Sequence, residues 1–239
     1  MRTVLITGGS RGIGAACVRA FTQAGWRAAF LYRSSVTEAE ALVAATGALA
    51  IRADIAQSAQ VNAACETALT RLRHIDALIN NAGISLAGRL QDTTDEEWRR
   101  VLDVNLTGAF FATRALLPRM LSAGGGRIVN VSSIWGQVGG SMEVAYSAAK
   151  AGLLGFTKAL AQEVGPSGVT VNAVAPGATR TDMLSGFDEP ALDAIAREAP
   201  LGRLCEPAEI ARVILWLCGD DAAMLTGQVI GVSGGRVIV

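Results

Sequence analysis

Tyr146 and Lys150 stand four residues apart in Tyr146-Ser147-Ala148-Ala149-Lys150, a segment whose alanines favour helix. Positions i and i+4 share a helix face, so the lysine ammonium can sit beneath the tyrosine hydroxyl. A phenol ordinarily titrates at about 10. A neighbouring ammonium favours the phenolate and is expected to lower that value toward the working range of a general acid–base. Upstream, Ile128-Val129-Asn130-Val131-Ser132-Ser133 reads as a buried strand ending in hydroxyls. Ser133 can donate a hydrogen bond to a carbonyl oxygen. By itself Y-x-x-x-K is a weak motif, and a tyrosine in a helix can be there for packing alone.

A second constellation is Thr7-Gly8-Gly9-Ser10-Arg11-Gly12-Ile13-Gly14, between the first apolar run and the first helical segment. Gly8, Gly12 and Gly14 let backbone approach a pyrophosphate. The helix that opens there points free N–H groups and a positive dipole end at it. The spacing G-x-x-x-G-x-G differs from G-x-G-x-x-G, and no Lys-Ser/Thr ending marks an ATP or GTP loop. NAD enzymes place an acidic residue about 20 residues after such a loop. Here that place holds Tyr32-Arg33-Ser34-Ser35, and no carboxylate appears until Glu38. Arg33 and Arg11 are expected to converge on a 2′-phosphate, with both serine hydroxyls as donors. The cofactor expected is NADP(H).

The elements that must position these groups alternate. Apolar runs at 4–7, 28–32, 48–52, 77–79, 127–131, 170–175 and 228–232 are separated by helical periodicity at 13–24, 37–45, 59–72, 96–121, 145–164 and 207–218. Continuous apolar strands between helices predict an α/β fold: one doubly wound parallel sheet of about seven strands with helices on both faces. Ligands of such sheets bind outside the carboxyl ends of the strands. No linker, repeat or low-complexity tract divides residues 1–239, so one domain is expected. Residues 183–200, carrying Gly186, Pro190 and Pro200, read as an irregular or weakly helical substrate lid.

Composition narrows the function. Lys+Arg and Asp+Glu both number 21, interspersed, which gives no footprint for nucleic acid. Cys17, Cys65, Cys205 and Cys218 lack metal-ligand spacing. The single histidine, His74, makes Ser-His-Asp catalysis and His-rich metal sites poor readings. No signal peptide and no run of the ~20 apolar residues a membrane span needs is apparent, and a cytoplasmic location is expected.

With these residues in view, the chain resembles the short-chain dehydrogenase/reductase family from end to end. The resemblance is carried by 7–14, Asp54-Ile55, Asn80-Asn81-Ala82-Gly83, Asn105, Ser133, Tyr146, Lys150, Pro176-Gly177 and Thr181, in order and at family spacing. It implies a Rossmann fold, a nicotinamide dinucleotide and a homotetramer. It implies that Gly8, Ser10, Arg11, Gly12, Ile13, Gly14 and Arg33 meet the phosphates, that Asp54 and Ile55 meet the adenine, and that Asn81, Ala82 and Gly83 line the cofactor. Pro176, Gly177, Thr179 and Thr181 would hold the carboxamide. Tyr146 and Lys150 would also touch the cofactor. Asn105 would complete a catalytic tetrad through a water in a proton relay to Lys150. Ser133, thirteen residues before Tyr146, has the family spacing, and Ser132 would pack inward.

Within the family, the chain is similar to 3-oxoacyl-[acyl-carrier-protein] reductases at Val104-Asn105-Leu106-Thr107-Gly108, Val174-Ala175-Pro176-Gly177 and Thr181-Asp182-Met183. It departs from them in lacking basic residues before the fifth and sixth strands. Gly124-Gly125-Gly126 and Pro166-Ser167-Gly168 stand there, with Arg127 nearby, and Ser233 replaces the frequent Asp before Gly234-Gly235. The stretch 133–146 is also similar to the elongation factor P 5-aminopentanone reductases, in which case Glu143 could attract a cationic substrate. A sugar or alcohol dehydrogenase working oxidatively is a third reading, distinguished by nucleotide preference and lid shape. A nucleotide-sensing protein on a retained fold is the non-enzyme alternative. The intact Asn105, Ser133, Tyr146 and Lys150 argue against it.

Overall fold

Strand and helix alternate along the whole of residues 1–239, which a computed structural model describes. Seven strands form one sheet: β1 (Thr3–Thr7), β2 (Arg27–Tyr32), β3 (Leu49–Arg52), β4 (Ala77–Asn80), β5 (Gly126–Val131), β6 (Val169–Pro176) and β7 (Val229–Val232). Every neighbouring pair is parallel, in the order β3-β2-β1-β4-β5-β6-β7. The chain therefore winds outward from β1 in one direction and resumes at β4 in the other. The crevice between the ends of β1 and β4 is where such a sheet opens to a ligand.

Nine helices cover the sheet: α1 (Gly12–Gln23), α2 (Val36–Thr46), α3 (Ser58–Leu72), α4 (Asp95–Leu102), α5 (Gly108–Ala123), α6 (Ile134–Val138), α7 (Val144–Val164), α8 (Glu189–Arg197) and α9 (Pro207–Leu217). Strand side chains alternate between faces, and β1 shows the consequence. Val4 and Ile6 pack with Val18 and Phe21 of α1 and with Ile210 and Ile214 of α9. Leu5, between them, packs on the other face with Val61 of α3, Leu116 of α5 and Leu160 of α7. Two apolar layers thus clamp the sheet, which is the expected doubly wound Rossmann-like architecture. No helix is long and apolar enough to cross a membrane.

Three local features differ from the expected pattern. The single helix expected over 96–121 is broken by a π-helical turn, Asp103–Thr107, closed by Gly108 N–H donating to Asp103 O five residues back. Asn105 explains the widening, because its amide donates to Val101 O at 2.9 Å and Ile84 O at 2.9 Å. Second, the 183–200 segment holds a regular helix, α8. Pro190, read as a breaker, lies in its first turn, where a missing N–H costs nothing, and Asp188 accepts from Ala191 N–H at 3.0 Å to cap it. Third, α6 was not anticipated: its five residues are too few to display a helical period.

Candidate active site

The loop after β1 turns at Gly8 with φ +65°, and a Cβ there would lie 2.8 Å from Ala82 Cα. Only glycine allows both the left-handed backbone and that approach. Thr7 and Asn81 tie the loop to the end of β4. Thr7 Oγ1 accepts from the N–H groups of Asn81 and Ala82 at 3.0 Å each, and the Asn81 amide donates to Thr7 O and Gly8 O at 3.0 Å. Helix α1 then begins with no side-chain cap on its first N–H groups. Those donors are left for an anion.

A cavity of about 600 Å³ runs from this loop to Leu184, Phe187 and Ile195. Every site residue expected from the sequence lines it except two. Gly14 lies behind the loop, where a Cβ would meet Gly8 O at 2.1 Å. Asn105 is buried behind Gly83. His74 is outside the cavity, with Nε2 3.2 Å from Asp76 Oδ2.

The end that holds Ser133, Tyr146 and Lys150 is built by β5, α6 and α7. Ser132 turns inward and donates to Lys150 O at 2.9 Å. Ser133 caps α6 by accepting from Trp135 N–H at 3.1 Å. That bond uses an oxygen lone pair and leaves the hydroxyl proton to donate on the Tyr146 side. Tyr146 and Lys150, one turn apart on α7, are both buried. Lys150 Nζ donates to Val131 O at 2.8 Å and lies 5.6 Å from the Tyr146 ring centroid. Asn105 Oδ1 has no hydrogen-bond partner, and it flanks Gly83 together with Lys150 Nζ: a Cβ on Gly83 would lie 2.7 Å from the first and 3.3 Å from the second.

The expected electrostatics at Tyr146 are corrected. Burial pushes its phenol up to about 12; the nearby Ser133 hydroxyl pulls it back, and the Glu143 carboxylate pushes it further up. The ammonium faces the ring and a backbone carbonyl, so the expected lowering does not operate here. Burial instead lowers Lys150 to about 8. Glu143 accepts at both oxygens from Ser85 Oγ, at 2.9 and 2.8 Å, and forms no ion pair. The preceding Met142 holds a left-handed φ of +65°, with its carbonyl accepting from Gly88 N–H at 2.7 Å.

At the other end, Arg11 and Arg33 have separate acidic partners. Arg11 bonds Asp182 at 3.0 Å. Arg33 lies 3.8 Å from Asp54. Thr179 is buried, donating to Gly177 O at 2.9 Å, and Thr181 donates to Thr179 O at 3.3 Å. Two cavity arginines escaped the sequence reading. Arg100 of α4 bonds Asp54 at 3.2 Å. Arg236 packs over the Trp135 ring at 4.9 Å and pairs with Glu198. These contacts join residues 38 to 101 positions apart or close on a loop, and no local period signals them.

The glycine approach at Gly8, the uncapped start of α1 and the unpartnered Asn105 oxygen beside Lys150 fit a nicotinamide dinucleotide laid across the switch point. Fold and site together define a nicotinamide-dependent oxidoreductase. A family model described as enoyl-(acyl carrier protein) reductase matches residues 8–236. The chain is 43% identical over 244 residues to a 3-oxoacyl-[acyl-carrier-protein] reductase of Synechocystis sp., covering 99% of this chain and 97% of that one. It is 42% identical over 239 residues to an acetoacetyl-CoA reductase of Shinella zoogloeoides, covering 100% and 99%. A 3-oxoacyl-[acyl-carrier-protein] reductase of Staphylococcus aureus is 36% identical over 239 residues, covering 98% and 97%. The chain belongs to the short-chain dehydrogenase/reductase family.

Proposed function

We propose that this chain is an NADPH-dependent reductase of 3-oxoacyl thioesters. The observation that carries the reading is a buried, protonated Tyr146 beside the Ser133 hydroxyl, in a chain similar over its full length to two kinds of reductase named for 3-oxoacyl substrates. The nicotinamide, when bound, supplies the hydride. Ser133 donates to the substrate carbonyl oxygen and orients it. Tyr146 gives that oxygen its proton. Lys150 holds the ribose and passes protons to Tyr146 from the Asn105 side. Pro176, Gly177, Thr179 and Thr181 hold the carboxamide. Gly8, Ser10, Arg11, Gly12, Ile13 and Gly14 form the pyrophosphate cradle, with Ile55, Asn81, Ala82 and Gly83 along the cofactor. Arg33, where NAD enzymes place an acid, supports the choice of NADPH. Residues 183–200 act as the lid, presenting Leu184, Phe187 and Ile195 to the cavity. Four free, buried cysteines suit the reducing cytoplasm.

A second reading has its own observation. Glu143 carries a carboxylate with no cation partner at the cavity wall, beside Tyr146. That charge favours a ketone bearing an ammonium group, as in an aminopentanone-modified lysine. One assay separates the readings: NADPH and NADH oxidation against acetoacetyl thioesters, simple ketones, sugars and an aminopentanone-modified peptide. The proposal expects NADPH with acetoacetyl thioesters to be turned over best. Preference for the modified peptide, lost in Glu143→Gln, would favour the second reading. Of the small residues Ala109, Ala112, Ala148, Ala149 and Gly152 on α5 and α7, Ala109, Ala112 and Ala149 are buried within this chain and only Ala148 is exposed, so the proposed homotetramer rests on the family resemblance; light scattering reads its mass directly.

A further inference from the structure

Asp54 is shared by two arginines that reach it from different elements. Arg100, on α4, donates to Oδ2 at 3.2 Å, and Arg33, just after β2, has Nη1 3.8 Å from the same oxygen. Oδ1 is taken by Ala56 N–H at 3.0 Å. Burial opposes ionisation of Asp54, but the Ala56 N–H, Arg100 and Arg33 together hold its carboxyl below the ordinary carboxylate range. All three side chains line the cavity. Two guanidinium groups against one carboxylate leave one positive charge in excess. The distances say which arginine is spent. Arg100 is within hydrogen-bond reach of Asp54, whereas Arg33 is beyond it and 56% exposed, so its donors remain available.

We infer that Arg100 is a positioning residue for nucleotide specificity: it holds Asp54 and so keeps Arg33 free for a ribose 2′-phosphate. Without Arg100, the carboxylate is 3.8 Å from a cation that has no other acidic partner, and it closes on it. A carboxylate on Arg33 both consumes the donors that a phosphate needs and repels the phosphate. A ribose with a free 2′-hydroxyl is far less affected, because it presents no charge there. The inference rests on the NADP reading proposed above.

The test is calorimetric binding of NADPH and NADH, with 2′,5′-ADP and 5′-ADP as probes of the phosphate alone. The wild type should bind the 2′-phosphorylated member of each pair more tightly. Arg100→Met should shrink that ratio about tenfold or more, the worth of one hydrogen bond to a charged group. Asp54→Asn alone should raise the ratio, and added to Arg100→Met it should restore it, because the competing charge is gone. Equal weakening of both nucleotides by Arg100→Met, or failure of Asp54→Asn to move the ratio in either background, would overturn the inference while leaving the NADP reading intact. A wild type with no preference for the phosphorylated ligands would overturn both. Should Arg100→Met fail to fold, Arg100→Gln, which removes the charge and keeps a polar side chain, is read by the same ratio.

Discussion

Lys150 and Tyr146 both lose solvent on folding, and burial acts on them with opposite sign. It disfavours whichever form is charged, so the amine goes down to about 8 and the phenol up to about 12. At neutral pH Tyr146 therefore keeps its proton, the state a donor needs for reduction. The linkage to stability follows. Between about 8 and 10.5 an unfolded chain holds a proton on Lys150 that the folded chain has released, so stability rises with pH across that window. Tyr146 acts the other way only above its ordinary 10, where the unfolded phenol ionises first. Denaturant unfolding of the wild type and Lys150→Met at pH 7 and pH 10 should show the wild type gaining on the order of 2–3 kcal/mol relative to the variant. Equal changes in both proteins would contradict the burial of a titrating Lys150. Spacing was enough to pair Tyr146 with Lys150, because i and i+4 share a face. It was silent on depth, and depth sets the direction of the Tyr146 shift. Arg100 was illegible for a different reason: its partner Asp54 is 46 residues away.

The π turn between α4 and α5 shows how an element serves one side chain. Asn105 takes the carbonyls of Val101 and Ile84 with its amide nitrogen, which fixes the amide and leaves Oδ1 facing Gly83 and Lys150. Extra turns of this kind gather at functional sites. Gly83 is the spacer between the Asn105 oxygen and the lysine. Gly83→Ala should lower turnover about 10–100-fold, since displacing reacting groups by even about an ångström carries such a cost. Gly88→Ala, where a Cβ meets nothing within 4 Å, serves as the control. Equal turnover in the two variants, measured by steady-state kinetics, would contradict a working role for the Asn105–Lys150 gap. The apolar periods of α1, α3, α7 and α9 were readable because each buries one face against the sheet. The π turn was not, since 3.6-residue periodicity persists on both sides of it. Helix α8 was hidden by Pro190, which breaks a helix interior but is well suited to a first turn.

Across the whole molecule, the winding of the sheet brings the residues proposed for nucleotide and for substrate to one cavity. The ends of β1, β2 and β3 bring the glycine loop, Arg33 and Asp54 to one side of the switch point. The ends of β4, β5 and β6 bring Gly83, Ser133 and Pro176 to the other. This arrangement was legible because continuous apolar strands alternating with helices admit few topologies. The order of strands then dictates where a dinucleotide must lie relative to Tyr146. The most direct test is steady-state NADPH oxidation with an acetoacetyl thioester by the wild type and Tyr146→Phe, with NADPH affinity measured separately by calorimetry. Loss of the proton-donating hydroxyl should lower kcat by ~10²–10⁴-fold while NADPH binding stays nearly intact. A Tyr146→Phe enzyme that keeps more than about a tenth of the wild-type kcat, against that same range, would contradict proton delivery by Tyr146.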